Sequence, residues 1–277
     1  MWPMKKNKSI LLSGPYILWM LVFTLIPLGV VGYYALTDPD TGAFSWLNIQ
    51  QLWMFLPTLG TSVWYSLISA LICLLLGYPV AYFIAHRGPT TQKILYMLVM
   101  LPMCMSFLLR TLAWVGLLEA NGIINQFLNL LGLRSVTMIG TSGAVILGMV
   151  YNYLPYMILP LYAIIVKIDN RLIEAAEDLG CTPVQVFSRV VLPLSMPGIL
   201  SGITMVFVPA VSTFYISQKL GGTETTMLIG DVIERQFKSA GNPNLGAALS
   251  LVLMLLVFVC TGIMNRFGSD EEGGVVV

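Results

Sequence analysis

Residues 171–193 read RLIEAAEDLGCTPVQVFSRVVLP, a polar island with apolar runs long enough to cross a bilayer on either side. Within it, residues 174–179 (EAAEDL) are mostly strong helix formers. Gly180 then suits a left-handed position just past a helix end, where a residue without Cβ is least strained. Thr182 suits the cap of a second helix and Pro183 its first turn, where no amide donor is needed. That helix, expected from Pro183 to about Val191, puts Val184, Phe187, Val190 and Val191 on an apolar stripe beside Gln185, Ser188 and Arg189. Two short helices joined by a sharp stop and held between membrane spans make a docking surface for another protein.

The rest of the chain explains why such an island stands out. Of 277 residues, 57% are hydrophobic and only 10% charged, where soluble domains carry about a quarter charged residues. This points to an all-α polytopic bundle in lipid. A crossing needs roughly 20 apolar residues. Six runs qualify, at about 10–34, 62–85, 94–118, 143–166, 197–217 and 246–266. Pro27, Pro79, Pro102, Pro155, Pro160 and Pro209 lie in or near them and predict kinks. Residues 1–268 are therefore read as one transmembrane domain, followed by a short acidic tail at 269–277.

Orientation follows from the basic residues. With the N-terminus inside, nine lie on the cytoplasmic side (Lys5, Lys6, Lys8, Arg87, Lys93, Lys167, Arg171, Arg189 and Arg266). Four lie outside (Arg134, Lys219, Arg235 and Lys238), and Arg110 falls within a span. The bias predicts both termini inside and places the 171–193 island in the cytoplasm. The near-neutral net charge shows no broad basic field and so argues against nucleic acid as a partner. Four scattered cysteines and one histidine form neither a metal framework nor a disulfide pattern. No Gly-Lys pair occurs, so there is no phosphate-binding P-loop, and ATP hydrolysis is expected elsewhere.

The triplet Glu174-Ala175-Ala176, followed by Gly180 and Leu192-Pro193, resembles the EAA loop of membrane subunits of bacterial ABC-type importers. Further stretches are similar to the permease of spermidine/putrescine importers: LGYPVAYF at 76–83, YLPYMILPLY at 153–162, LPLSMPGI at 192–199 and GDVIERQF at 230–237, with Pro209-Ala210 and Phe214-Tyr215. The resemblance implies a type I ABC importer permease fold with six transmembrane helices, in a bacterial cytoplasmic membrane. It also implies as partners a second permease, two ATPase subunits holding ATP and Mg, and an extracytoplasmic polyamine-binding protein. Glu174, Ala175, Ala176, Gly180, Thr182, Pro183, Phe187 and Pro193 would then couple to the ATPase. Trp114, Tyr153, Tyr156 and Tyr215 are expected along the pathway. Glu119, Asp231 and Glu234 are expected to attract the cation, and the other outer acids, Asp38, Asp40 and Glu224, read as solvated loop charges. No catalytic residue, metal site or cofactor is expected in the chain itself.

Two alternatives stay open at this level: a permease for another small solute (sulfate, iron or thiamine type), and an ATP-independent six-span channel or scaffold. Arg110 motivates the first. It is expected to bond a carbonyl or Glu119, with its guanidinium stacked on Trp114. The pair Gly198 and Gly202 is expected to let helices approach closely. The apolar positions of 227–237 predict an external amphipathic helix.

Overall fold

The computed structural model describes residues 6–38, 42–239 and 241–272, with side chains from 14 onward except at 224, 265 and 267–272. Lys5, Asp40, residues 273–277 of the expected tail and the Glu224 side chain lie outside the described set. The described residues are helical throughout, with one isolated antiparallel bridge, Thr37 to Phe44. In chain order the helices begin with α1 (Lys6–Ala35), α2 (Leu47–Gln51), α3 (Leu56–Ala85) and α4 (Pro89–Met100). Next come α5 (Phe107–Leu118), α6 (Ile123–Leu130), α7 (Ser142–Ile165), α8 (Asn170–Asp178) and α9 (Pro183–Val186). The last are α10 (Leu192–Leu194), α11 (Met196–Val211), α12 (Ile229–Lys238) and α13 (Pro243–Glu272).

Among the described residues, five helical stretches are long and apolar enough to cross a membrane: 14–35, 47–85, 107–130, 142–165 and 243–264. A sixth exists if 183–194 and 196–211, bent by 63° at Ser195, count as one broken span. The third apolar run departs from its expected form, because 94–118 is not one helix. α4 ends at Met100, Pro102 sits in a 3-10 turn, and Met105 and Ser106 are extended before α5 begins. A proline lacks the amide needed to continue the ladder, and the extended pair re-aims the chain. The qualifying stretch runs on instead through α5 and α6. The second run also starts earlier, because α2 and a 3-10 turn at Leu52–Phe55 lead directly into α3.

The chain divides into two compact units. The first comprises residues 1–56 and 232–255. Here Ala35, Ala247 and Ala248 pack with Val31, Leu52 and Leu251, small residues that let helix backbones approach. Asn244 Nδ2 donates to the Thr37 carbonyl at 2.6 Å, and Asn48 Nδ2 reaches the same oxygen at 2.9 Å. Asn242 Oδ1 caps the start of α13 by accepting from Leu245 N at 3.0 Å. The stretch GNPN at 241–244 is thus a helix start bonded across to the end of α1. Elsewhere α1 presents Tyr16, Leu18, Trp19 and Phe23 outward, as a helix apolar on all sides does in lipid.

The second unit, residues 57–231 and 256–277, holds the main core. Met149, Met157 and Leu161 of α7 are fully buried, with Cys73 and Ala81 of α3 and Val206 and Ala210 of α11. Gly198 and Gly202 face α7. A Cβ on Gly198 would lie 3.2 Å from both Ile164 Cβ and the Pro160 carbonyl, and one on Gly202 would lie 2.6 Å from Met157 Sδ. Several hydroxyls of the spans bond to the preceding turn of their own helix. Ser66 Oγ donates to Ser62 O at 2.7 Å and Thr111 Oγ1 to Phe107 O at 3.0 Å, as apolar surroundings require.

Candidate functional site

The loop from α8 to α11 is built by its capping residues. Asp169 accepts from Arg171 N at 3.0 Å and starts α8. At its other end Gly180 has φ +83°, Gly180 N donates to Glu177 O at 2.8 Å, and Cys181 N donates to Ala176 O at 3.1 Å. This paired closure is a Schellman motif, and its positive φ is why glycine stands there. Thr182 N then donates to Gln185 Oε1 at 2.8 Å, starting α9 with Pro183 in its first turn.

Past α9 the helix widens. Residues Phe187–Val191 form a π turn, and α10 follows before the 63° bend. The extra residue in the turn changes which side faces inward. Val186 and Val191 are buried, whereas Val184 is 75% exposed. The stripe expected from a regular 3.6-residue period, with Val184 in it, is corrected accordingly.

One side chain clamps this loop to α3. The Phe187 ring meets Tyr78 edge-on at 5.5 Å and Tyr82 at 6.1 Å between centroids. Tyr78 Oη lies 2.8 Å from Ser195 Oγ, the residue at the bend. Ser195 Oγ donates to Leu192 O at 2.9 Å, so Tyr78 is the donor of the pair. Beside the loop, a cleft of about 300 Å³ is lined by His86, Arg87, Gln92, Asn170, Ile173 and others from the ends of α3, α4, α7 and α8. Glu174, Ala175, Pro183 and Pro193 are exposed, and so are Leu172, Leu179 and Val184. The loop therefore exposes apolar residues while Phe187 and Val191 hold it to the bundle.

A second cluster lies along α5. Phe107, Arg110 and Trp114 stand at i, i+3 and i+7 and share one face. Phe107 meets Tyr215 at 6.3 Å and Trp114 meets Tyr151 at 5.3 Å between ring centroids. Tyr153 is buried, donates to Pro209 O at 3.3 Å and lies 6.3 Å from the Tyr156 ring. Lys219 Nζ sits 5.8 Å from the centre of the Tyr215 ring.

The four expected aromatic residues thus fall on α5, α7 and the segment after α11. Tyr153 is joined to Tyr156, while Trp114 and Tyr215 engage Tyr151 and Phe107. Phe107 could have been found by extending the helical spacing of α5 back from Trp114.

The acids are placed differently. Glu119 is exposed at the end of α5, and its carbonyl accepts from Asn125 Nδ2 at 3.0 Å. Asp231 is buried, and its Oδ2 accepts from Leu228 N at 2.9 Å, closing the first turn of α12. Glu234 pairs with Lys238 at 2.6 Å. Arg110 also departs from expectation. It is 5% exposed, yet its Nε and Nη1 find no acceptor among the described residues, and Trp114 stacks on Tyr151 instead. Among the described residues no group of His, Cys, Asp or Glu is placed to hold a metal ion.

The chain as a whole is similar to known proteins. A family model described as "Binding-protein-dependent transport system inner membrane component" matches residues 74–270. The spermidine/putrescine transport system permease protein PotB of Haemophilus influenzae is 41% identical over 254 residues, covering 87% of this chain and 88% of its own length. PotB of Escherichia coli K12 is 36% identical over 248 residues, covering 86% and 90%. In fold, a chain of a bacterial ABC transporter involved in the import of the acidic polysaccharide alginate superposes with a TM-score of 0.80 at 19% identity, covering 95% of this chain and 98% of its own. A chain of the MetNI methionine ABC transporter, in an inward-facing conformation, gives 0.60 at 17% identity, covering 80% and 97%. The chain belongs to the family of binding-protein-dependent transport system inner-membrane components, which are transport permeases and not enzymes.

Proposed function

We propose that this chain is the membrane-spanning permease subunit of an ATP-driven polyamine importer. It would form the pathway with a second permease above two ATPase subunits, take cargo from an extracytoplasmic binding protein and dock an ATPase subunit on the α8–α10 loop. The carrying observation is the clamp of Phe187 between Tyr78 and Tyr82, with Tyr78 bonded to Ser195 at the bend. A rigid loop tied to a transmembrane helix can pass a push from outside the bundle into the bundle. Glu174, Ala175, Ala176, Gly180, Thr182, Pro183 and Pro193 supply the docking face in this reading, and Phe187 the transmission. The polyamine cargo is supported by the spermidine/putrescine permease relatives.

Trp114, Tyr153, Tyr156 and Tyr215 are assigned to the aromatic wall of the pathway, where ring faces attract ammonium groups without a deep anionic trap. Glu119 and Glu234 are assigned to drawing the cation in. Asp231, buried at the start of α12, is assigned to holding that helix. ATP and Mg belong to the partner ATPase, and both termini are placed in the cytoplasm. The test is to co-purify the chain with its ATPase and measure polyamine uptake in vesicles. Glu174→Ala and Gly180→Val should weaken ATPase retention and abolish uptake. Unchanged retention and uptake in both variants would falsify the coupling role.

A further inference from the structure

Arg110 has no ion-pair partner among the described residues. Its side chain is nineteen-twentieths buried in a membrane-spanning helix, and Nε and Nη1 find no acceptor among the described residues. Such an ion is expensive in low dielectric, and sequences retain one where its field is used. Its position on α5 lies between Phe107, which touches Tyr215, and Trp114, which touches Tyr151. The aromatic cluster carries a second cation independently, since Lys219 sits over the Tyr215 ring on a π turn. Tyr215, one of the tyrosines assigned to the pathway, thus already sits beside a positive charge of the chain itself.

We propose that Arg110 and Lys219 set specificity and turnover by holding a fixed positive field on the aromatic wall, which limits how tightly a passing polyammonium chain can bind. The inference rests on the polyamine reading above. Ring faces attract each ammonium, and the fixed charges oppose it. A like charge about 8 Å away at an effective dielectric of about 20 weakens binding on the order of tenfold or more. The repulsion grows with each ammonium of the cargo, so a triamine is affected more than a diamine. The wall then binds shallowly and releases quickly. Lys219 also occupies a ring face that a cargo ammonium must take over.

The experiment uses the full complex of both permeases, ATPase and binding protein in vesicles, with spermidine and putrescine as probes. Arg110→Gln should lower KM and kcat together by about threefold or more, with the larger change for spermidine. Arg110→Lys, which keeps the charge, should stay within about twofold of the parent. Lys219→Gln should act in the same direction. Because Lys219 is exposed, that variant reads the field even if Arg110→Gln does not assemble. Unchanged KM in Lys219→Gln, or equal losses in Arg110→Gln and Arg110→Lys, overturns the proposal. A parent complex that takes up neither amine defeats the cargo assignment instead, so the two failures are distinct.

Discussion

Tyr78 makes the connection between loop and bundle testable with one oxygen atom. Tyr78→Phe leaves the ring against Phe187 but removes the donor to Ser195 Oγ, which is fully buried. Losing one buried hydrogen bond costs about 1–2 kcal/mol. Tyr78→Phe is therefore expected to fold and to retain the ATPase. ATP hydrolysis should continue while uptake per ATP falls severalfold, because the bend at Ser195 is no longer held to α3. Parallel assays of hydrolysis and uptake check this. Gly180 acts by a different route. At φ +83° a side chain is strained by about 1–2 kcal/mol, so Gly180→Ala should loosen the Schellman closure and lower ATPase retention. Gly116→Ala provides the control, since a Cβ there meets nothing within 4 Å and the helix should tolerate or favour it.

Helix contacts decide the next scale. α7 and α11 touch through Gly198 and Gly202, with Met157, Pro160 and Ile164 filling the space a Cβ would need. Gly202→Val should overpack this contact and cost about 1–3 kcal/mol or more. A lower detergent-solubilised melting temperature and reduced membrane yield are the expected signs. Gly60→Val, at an open position on α3, should show neither beyond the propensity penalty. The glycine spacing was legible in the sequence because close approach leaves small residues four apart. Gly180 and Thr182 were legible too, since caps are local chemistry. The inward face of 184–191 was not, because the π turn at Phe187 resets a periodicity that assumes 3.6 residues per turn. Pro102 marked a kink in the third run, but the full break at Met105–Ser106 was not legible. Hydropathy records that 94–118 is apolar and carries no information on where an apolar chain bends. Arg110 stood out as a charge in a span. That it would lack an acceptor depends on packing among α5, α7 and the residues after α11, which no local pattern encodes.

At the scale of the whole molecule, sidedness governs function, since a coupling loop is useful only where ATP is. Lysine and arginine number nine on the side assigned to the cytoplasm against four on the other, a bias that predicts this orientation. Cys181 is a native reporter, next to Gly180 in the loop and half-exposed. Cys73 is buried in the core, so removing Cys104 and Cys260 leaves Cys181 as the accessible thiol among the described residues. A membrane-impermeant maleimide should then spare intact cells and label Cys181 in inverted membrane vesicles. Added ATPase should slow that labelling, because a docked subunit covers the loop, and Glu174→Ala should restore the faster rate. Labelling from outside intact cells would reverse the orientation. Labelling unaffected by the ATPase would move the docking surface elsewhere on the chain. The two readouts separate because the first depends only on the sum of flanking charges and the second only on the geometry that Gly180, Phe187 and Tyr78 impose.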